Sequence, residues 1–320
     1  MSVTLRQLEI FNAVVKSGQV TKAAKLLFIT QSAVSLALTE MENQLGGALF
    51  DRSGRSLALN DRGRFFLPLS REIVDKLEDL DNLMNEKGGQ FAGSLQLVAS
   101  STIGNYVLPY LITAFKSMHP NVHVNMLVCN TGAAEKLILD RHVDLGFVEG
   151  EVSNELIKTT PWFKDELVFI TRITDNVKEE YDVATELKNY KWVMREPGSG
   201  TAQIFKKKLG KYVTDLNVVM ELGHTEAIKK AVEAGAGVGC LSSLTVCRAI
   251  ERKWLQEIYF KGMDMERQLY VVQHKNKAKT RLMKEFIDFC FLLSRCSAGR
   301  SCLSSPENFQ KLVTEFSQHD

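Results

Sequence analysis

Hydrophobic positions in the first 60 residues fall three and four apart in short runs, which predicts several small amphipathic helices. Leu5, Leu8, Phe11 and Val15 follow Thr4-Leu-Arg-Gln7, a segment of capping-box form, and Gly18 interrupts the pattern. Val20 to Leu27 reads as a second helix with Ala23, Ala24 and Leu27 on one side. Phe28-Ile29-Thr30 is a tight connection, and Thr30 caps a third helix that buries Val34, Leu38, Met41 and Leu45 before Gly46 and Gly47 end it. Two short extended pieces around Ser53-Gly54 then form a hairpin, or wing.

From about Asp61 to Lys87 one long helix carries Phe66, Leu69, Ile73, Leu77, Leu80 and Met84 in a heptad-like seam, long enough to pair two chains. The other reading is a single helix packed on its own domain. Gly88-Gly89 ends it and marks a hinge. Over residues 93–295 strand-like runs such as SLQLVAS, VDLGFVE, KWVMR and VGCLS alternate with helical ones such as IGNYVLPYLITAFKSM, TAQIFKKKLGKY and TEAIKKAVEAG. Such alternation implies parallel α/β sheets, either one large sheet or two smaller ones. Residues 296–320 are polar and Ser-rich; Phe309, Leu312, Val313 and Phe316 form one small amphipathic helix or remain disordered.

Composition narrows the class. The chain has 320 residues, 45% hydrophobic and 24% charged, which fits about two globular domains and excludes collagen, rods and long disorder. No apolar run reaches membrane-spanning length, and the N-terminus does not read as an export signal, so the expected setting is the cytoplasm. Six cysteines without a CxxC pair point to reduced thiols and away from zinc. Net charge is +2, yet residues 1–64 hold eight basic against five acidic side chains. A basic head on a nearly neutral body suits a polyanionic partner for the head.

Helix, tight turn and helix followed by a wing is the arrangement that lays a recognition helix in the major groove. On the third helix Gln31, Ser32, Ser35 and Thr39 face outward, with Thr30 at its start, and all can hydrogen-bond to phosphates or base edges. Arg52 and Arg55 flank the wing and can neutralise phosphates. Generic three-helix packing explains the apolar spacing equally well. The residues themselves go further: Leu5-Arg6-Gln7-Leu8 with Phe11, Ala23-Ala24, Gln31-Ser32-Ala33-Val34-Ser35, Glu42 with Leu45-Gly46, and Leu49-Phe50-Asp51-Arg52 closely resemble the winged helix-turn-helix of LysR-type transcriptional regulators. The resemblance continues to about residue 295. Leu36 departs from it, standing where the family often has Arg or Lys.

The resemblance implies an α/β protein with an all-α winged helix-turn-helix N-terminal domain and a C-terminal two-lobed, periplasmic-binding-protein-like α/β effector domain. It divides the chain into 1–60 for DNA binding, 61–88 as linker and dimerisation helix, and 89–295 for effector binding. Lobe I takes about 89–163 and 267–295, lobe II about 164–266, and 296–320 is a tail without an assigned role. It further implies dimers or tetramers on double-stranded promoter DNA, a pseudo-palindromic site, and an effect on RNA polymerase recruitment.

Helix starts rich in hydroxyls and glycine follow several strands: Ser100 and Thr102, Asn130-Thr131, Ser199-Gly200-Thr201, and Thr225. Helix N-termini attract anions, although ordinary capping explains each one singly; their recurrence at strand ends points to a shared cleft. ASSTIGNYVLP, VDLGFVEG, REPGSGT and LGHTEAIKKAVEAGAGVGCLS look most like the branch of the family with the CysL, CbbR and YeiE regulators, which implies a small anionic effector, a sulfite-like one among the candidates. Glu149 would join this lining and repel an oxyanion unless paired or protonated, with His224 or Arg195 as the expected partner. Gly235 to Gly239 reads as a helix end and turn, not a dinucleotide loop; no Walker motif, metal set or nucleophile–base pair argues for an enzyme, and no cofactor is expected. The alternatives are a cytosolic solute-binding protein whose N-terminal helices mediate association only, and a phosphate-binding α/β transferase using Gly198 to Thr201.

Overall fold

The computed structural model describes residues 3–53, 56–85, 91–150, 152, 154–174, 178 and 180–296. Gly54 and Arg55 of the wing, the Gly88-Gly89 hinge and the tail from residue 297 onward lie outside the described residues. The chain divides into two compact units at Gly89–Gln90, with Ala278–Arg281 counted in the first.

The first unit begins with α1 (Leu5–Ser17), where Thr4 accepts from the Gln7 N–H and the Gln7 side chain accepts from Thr4 N–H, completing the capping box. The short α2 (Val20–Leu26) leads into α3 (Gln31–Leu45), capped by the Thr30 hydroxyl and ended by Gly46 at φ +77°, a conformation glycine adopts without strain. Between them Phe28 stands at φ +54° and is almost wholly exposed. Ala23 and Ala24 are buried, which lets α2 approach its neighbours closely. β1 (Phe50–Ser53) and β2 (Ser56–Leu59) form the antiparallel wing, and α4 (Asp61–Asn85) follows. Phe11 centres the core, its ring 5.4 Å from Phe50 and 5.2 Å from Phe66. This packing alters the expected seam. Phe66 turns inward and Phe65 outward, so the exposed row of α4 runs Phe65, Leu69, Ile73 and Leu80.

The second unit is two-lobed. β3 (Ala92–Ser100), α5 (Ser101–Tyr106), α6 (Leu108–Met118), β4 (Asn121–Cys129), α7 (Thr131–Leu139) and β5 (Leu145–Glu149) build the first lobe. The expected single helix over 103–118 is broken at Val107, because Pro109 has no N–H to give and restricts the residue before it. β6 (Ile157–Arg172) leaves for the second lobe, made of α8 (Val183–Glu186), β7 (Lys191–Arg195), α9 (Gly200–Leu209), β8 (Asn217–Leu222), α10 (Thr225–Glu233), β9 (Val238–Ser242), α11 (Ser243–Glu251) and β10 (Leu255–Ile258). β11 (Glu266–His274) returns, and α12 (Arg281–Cys296) closes the first lobe with Phe286 and Phe289 against Phe115.

The sheets are mixed rather than parallel throughout. β3 pairs in parallel with β4 and β5, and β7 with β8 and β9. β6 and β11 cross between lobes in opposite directions, so each meets its neighbours antiparallel. Their mutual register sets Arg267 opposite Asp165 and Glu266 opposite Glu166. Each lobe keeps its own apolar core, around Phe115, Phe147 and Phe286 in the first and Phe169, Trp192 and Phe205 in the second. Among the described residues no helix is long and apolar enough to cross a membrane.

Candidate functional site

In the first unit the helix-turn-helix presents Thr30, Gln31, Ser32, Ser35 and Thr39 to solvent on and before α3. Some of their hydrogen-bonding capacity is already used. Thr30 accepts from Ala33 N–H at 3.2 Å and lies 3.0 Å from the Ser32 hydroxyl, while Thr39 Oγ1 donates to Ser35 O at 2.9 Å. Arg52 sits in β1 opposite Leu57, and Arg55 is outside the described residues. Arg62, which no sequence motif singled out, donates to Leu45 O at 2.7 Å and Gly46 O at 3.3 Å, so a cation caps the C-terminus of α3.

In the second unit the strand ends bring Ser100, Thr102, Thr131, Glu149, Ser199, Gly200, Thr201 and Thr225 to the junction of the lobes, all buried, with Asn130 at its edge. Glu149, at the end of β5, is the centre. Its Oε1 accepts from the Ser100 hydroxyl and the Thr102 N–H, both at 3.0 Å, and its Oε2 accepts from the Thr201 hydroxyl at 2.7 Å and Arg267 Nη1 at 3.0 Å. Gly200 comes so close that a Cβ there would lie 2.3 Å from Glu149 O, so only glycine permits this approach of α9. The lobes also meet where Gly132 N–H donates to Gly198 O at 3.1 Å and Asn130 donates to Glu196 at 3.3 Å.

The expected partners of Glu149 are corrected here. Its neutralising cation is Arg267, and His224 makes no hydrogen bond to it. Arg195 is buried nearby but gives Nε to Glu196 at 2.8 Å and further bonds to Thr225 and Ser101, each at 3.3 Å. Nor is Glu149 protonated. Burial pushes its carboxyl up, but the Arg267 charge, the Thr102 and Thr201 hydrogen bonds and the Arg195 charge outweigh this and hold it at about 2. Arg267 is itself raised: burial lowers it, and Glu149 and Asp165 more than compensate. Arg267 Nε donates to Asp165 at 2.6 Å, and Ser242 completes that carboxylate at 2.9 Å.

A cavity of about 300 Å³ lies one helical turn along α5 and α10 from Ser101 and Thr225. Tyr106, Trp254, Lys229, Arg248 and Arg252 line it, with Glu226 as the one carboxylate. Tyr106 donates to Glu226, and Arg248 donates to the Tyr110 hydroxyl at 3.2 Å.

A helix-turn-helix with a wing on one unit and a two-lobed cleft on the other define a DNA-binding regulator controlled through a small molecule. Residues 5–64 match the bacterial regulatory helix-turn-helix protein family of LysR type, and residues 88–291 match the LysR substrate binding domain. The chain belongs to the LysR family of transcriptional regulators, which are not enzymes. Among relatives, it is 36% identical to the regulator YeiE of Escherichia coli K12 over 290 residues, covering 91% of this chain and 98% of that one. It is 29% identical to the transcriptional activator CmpR of Synechocystis, covering 91% and 95%. These names agree with the branch that the effector-domain motifs resemble. Full-length OxyR of Pseudomonas aeruginosa shares the fold with a TM-score of 0.69 at 16% identity, covering 91% of this chain and 98% of that one. The regulatory domain of Synechocystis CcmR, solved with 2-PG, matches at TM-score 0.58 and 25% identity over 63% of this chain and 98% of that one.

Proposed function

We propose that this regulator binds a small oxyanion, of which sulfite is one example, at the lobe junction formed by Ser100, Thr102, Asn130, Thr131, Glu149, Ser199, Gly200, Thr201 and Thr225. The observation that carries this reading is the hold on Glu149: a hydroxyl from each lobe, a backbone N–H and a guanidinium converge on one carboxylate. A carboxylate is an oxyanion, so the donor set suits the proposed ligand, and the protein's own side chain stands in for it. The cations around the neighbouring cavity would draw an anion to the same junction.

The charge balance sets the mechanism. Arg195 and Arg267 face Glu149, Asp165 and Glu196, so an added anion competes with Glu149 for donors instead of joining it. Displacing Glu149 breaks its bond to Thr201 in the second lobe, and a ligand acts through such a difference between lobe arrangements. In this reading the chain works in the cytoplasm as a dimer or tetramer on promoter DNA. Thr30, Gln31, Ser32, Ser35 and Thr39 contact the duplex, Arg52 and Arg55 its backbone, and the lobe change alters RNA polymerase recruitment.

Calorimetry on the full chain with sulfite, sulfate and phosphate tests the effector. Heat from at least one anion is expected, with about tenfold tighter binding to Glu149→Gln, since a neutral amide competes less well for Arg267. No heat from any of the three with either protein retires the oxyanion reading.

A further inference from the structure

The outward stripe of α3 contains one residue that hydrogen bonding does not account for. Ser32, Ser35, Leu36 and Thr39 follow one another at helical spacing on the same face, and Leu36 is 61% exposed in their midst. It packs in no apolar core; the buried face of this helix is Val34, Leu38 and Met41. Isolated exposed leucines are ordinary on protein surfaces and by themselves mean nothing. This one sits at the centre of the outward face of α3, among the residues proposed above to contact the duplex.

The rest of the helix sharpens the point. QSAVSLALTEMENQL has no Lys, Arg or His and two acids, Glu40 and Glu42. The commonest way to read guanine, a bidentate Arg or Lys on its O6 and N7, is therefore unavailable from α3. Thr39 spends its hydroxyl proton on Ser35 O, and Ser32 is engaged with Thr30. In the major groove the one base feature that favours an apolar side chain is the C5 methyl of thymine. We infer that Leu36 is a specificity-determining residue that reads a thymine methyl group. Leu36 gains affinity by removing that methyl and its own side chain from water, a contact that salt does not screen. The inference rests on α3 being the DNA-reading helix, and the experiment separates failure of the two ideas.

The full chain is used to select its own duplex from a random pool, and each thymine of the selected half-site is replaced in turn by deoxyuridine. That change keeps the base pair and deletes only the methyl. Affinity should fall about three- to tenfold at one thymine per half-site, the size expected for one buried methyl contact. Leu36→Ala should bind the thymine duplex as weakly as the wild type binds the deoxyuridine one, and should not distinguish the two. Leu36→Met, which keeps an apolar side chain, should retain the distinction. Since Leu36 is exposed, neither substitution removes core packing. Equal binding of thymine and deoxyuridine duplexes at every position overturns the inference while leaving DNA binding intact. So does methyl sensitivity that persists unchanged in Leu36→Ala. Selection of no preferred sequence overturns both.

Discussion

Glu149 shows how one side chain can hold a site together and yet be misread in isolation. Its neighbours in sequence, a strand end followed by Gly150, mark it as cleft-lining, and that much is visible from the pattern VDLGFVEG. Its partner Arg267 lies 118 residues away and becomes a neighbour only through the register of the crossing strands. No local spacing encodes that pairing, so the sequence alone offers Arg195 and His224 as equally suitable partners. The pairing has a pH signature. With a carboxyl held at about 2 against an ordinary 4.5, the folded state gains stability that is complete above pH 4.5 and is lost as pH falls toward 2. The amount is on the order of 3 kcal/mol. Acid unfolding followed by circular dichroism should show this loss in the wild type, and Glu149→Gln should lose much less over the same range. Parallel acid profiles for the two proteins would remove Glu149 as the source.

At the scale of elements, helices with strong periodicity and caps were legible almost residue by residue. The periodicity predicts a third helix over Gln31–Leu45, and α3 spans those residues. What escaped was whatever depends on long-range pairing. The first half of β6 contains Pro161, and β10 is only four residues, so neither carries a clear strand signature. The α4 seam was legible as a heptad but not in its rotation, because whether Phe65 or Phe66 faces inward is decided by the Phe11 ring. The exposed row of Phe65, Leu69, Ile73 and Leu80 is an unpartnered apolar stripe that a second copy of the helix would cover. Ile73→Glu, at a solvent-facing position, should leave the fold intact and shift sedimentation toward the monomer by at least tenfold in dissociation constant. An unchanged sedimentation profile would place self-association elsewhere.

For the whole molecule, the family and its two-domain plan were readable because the helix-turn-helix motif is long and ordered, and because strand ends rich in Ser, Thr and Gly recur through the α/β region. If the proposed self-association is two-fold, it dictates the geometry of the target: half-sites should lie whole helical turns apart, at ~10–10.5 base pairs each. Inserting five base pairs between selected half-sites turns one to the opposite side of the duplex and should cost at least tenfold in affinity. Inserting ten should restore much of it. Equal loss in both duplexes would argue for recognition by one subunit at a time.

Arg267 also bears on how the lobes can move. This single guanidinium touches Asp165 on the other crossing strand, Glu149 on the first lobe and Thr201 on the second. Sliding one lobe over the other cannot stretch these bonds gradually, since a buried charge half-released from its partners is worse off than one fully held or fully hydrated. A lobe movement that frees this guanidinium would therefore do so all at once, and gene control resting on such a step would behave as a toggle instead of a graded dial.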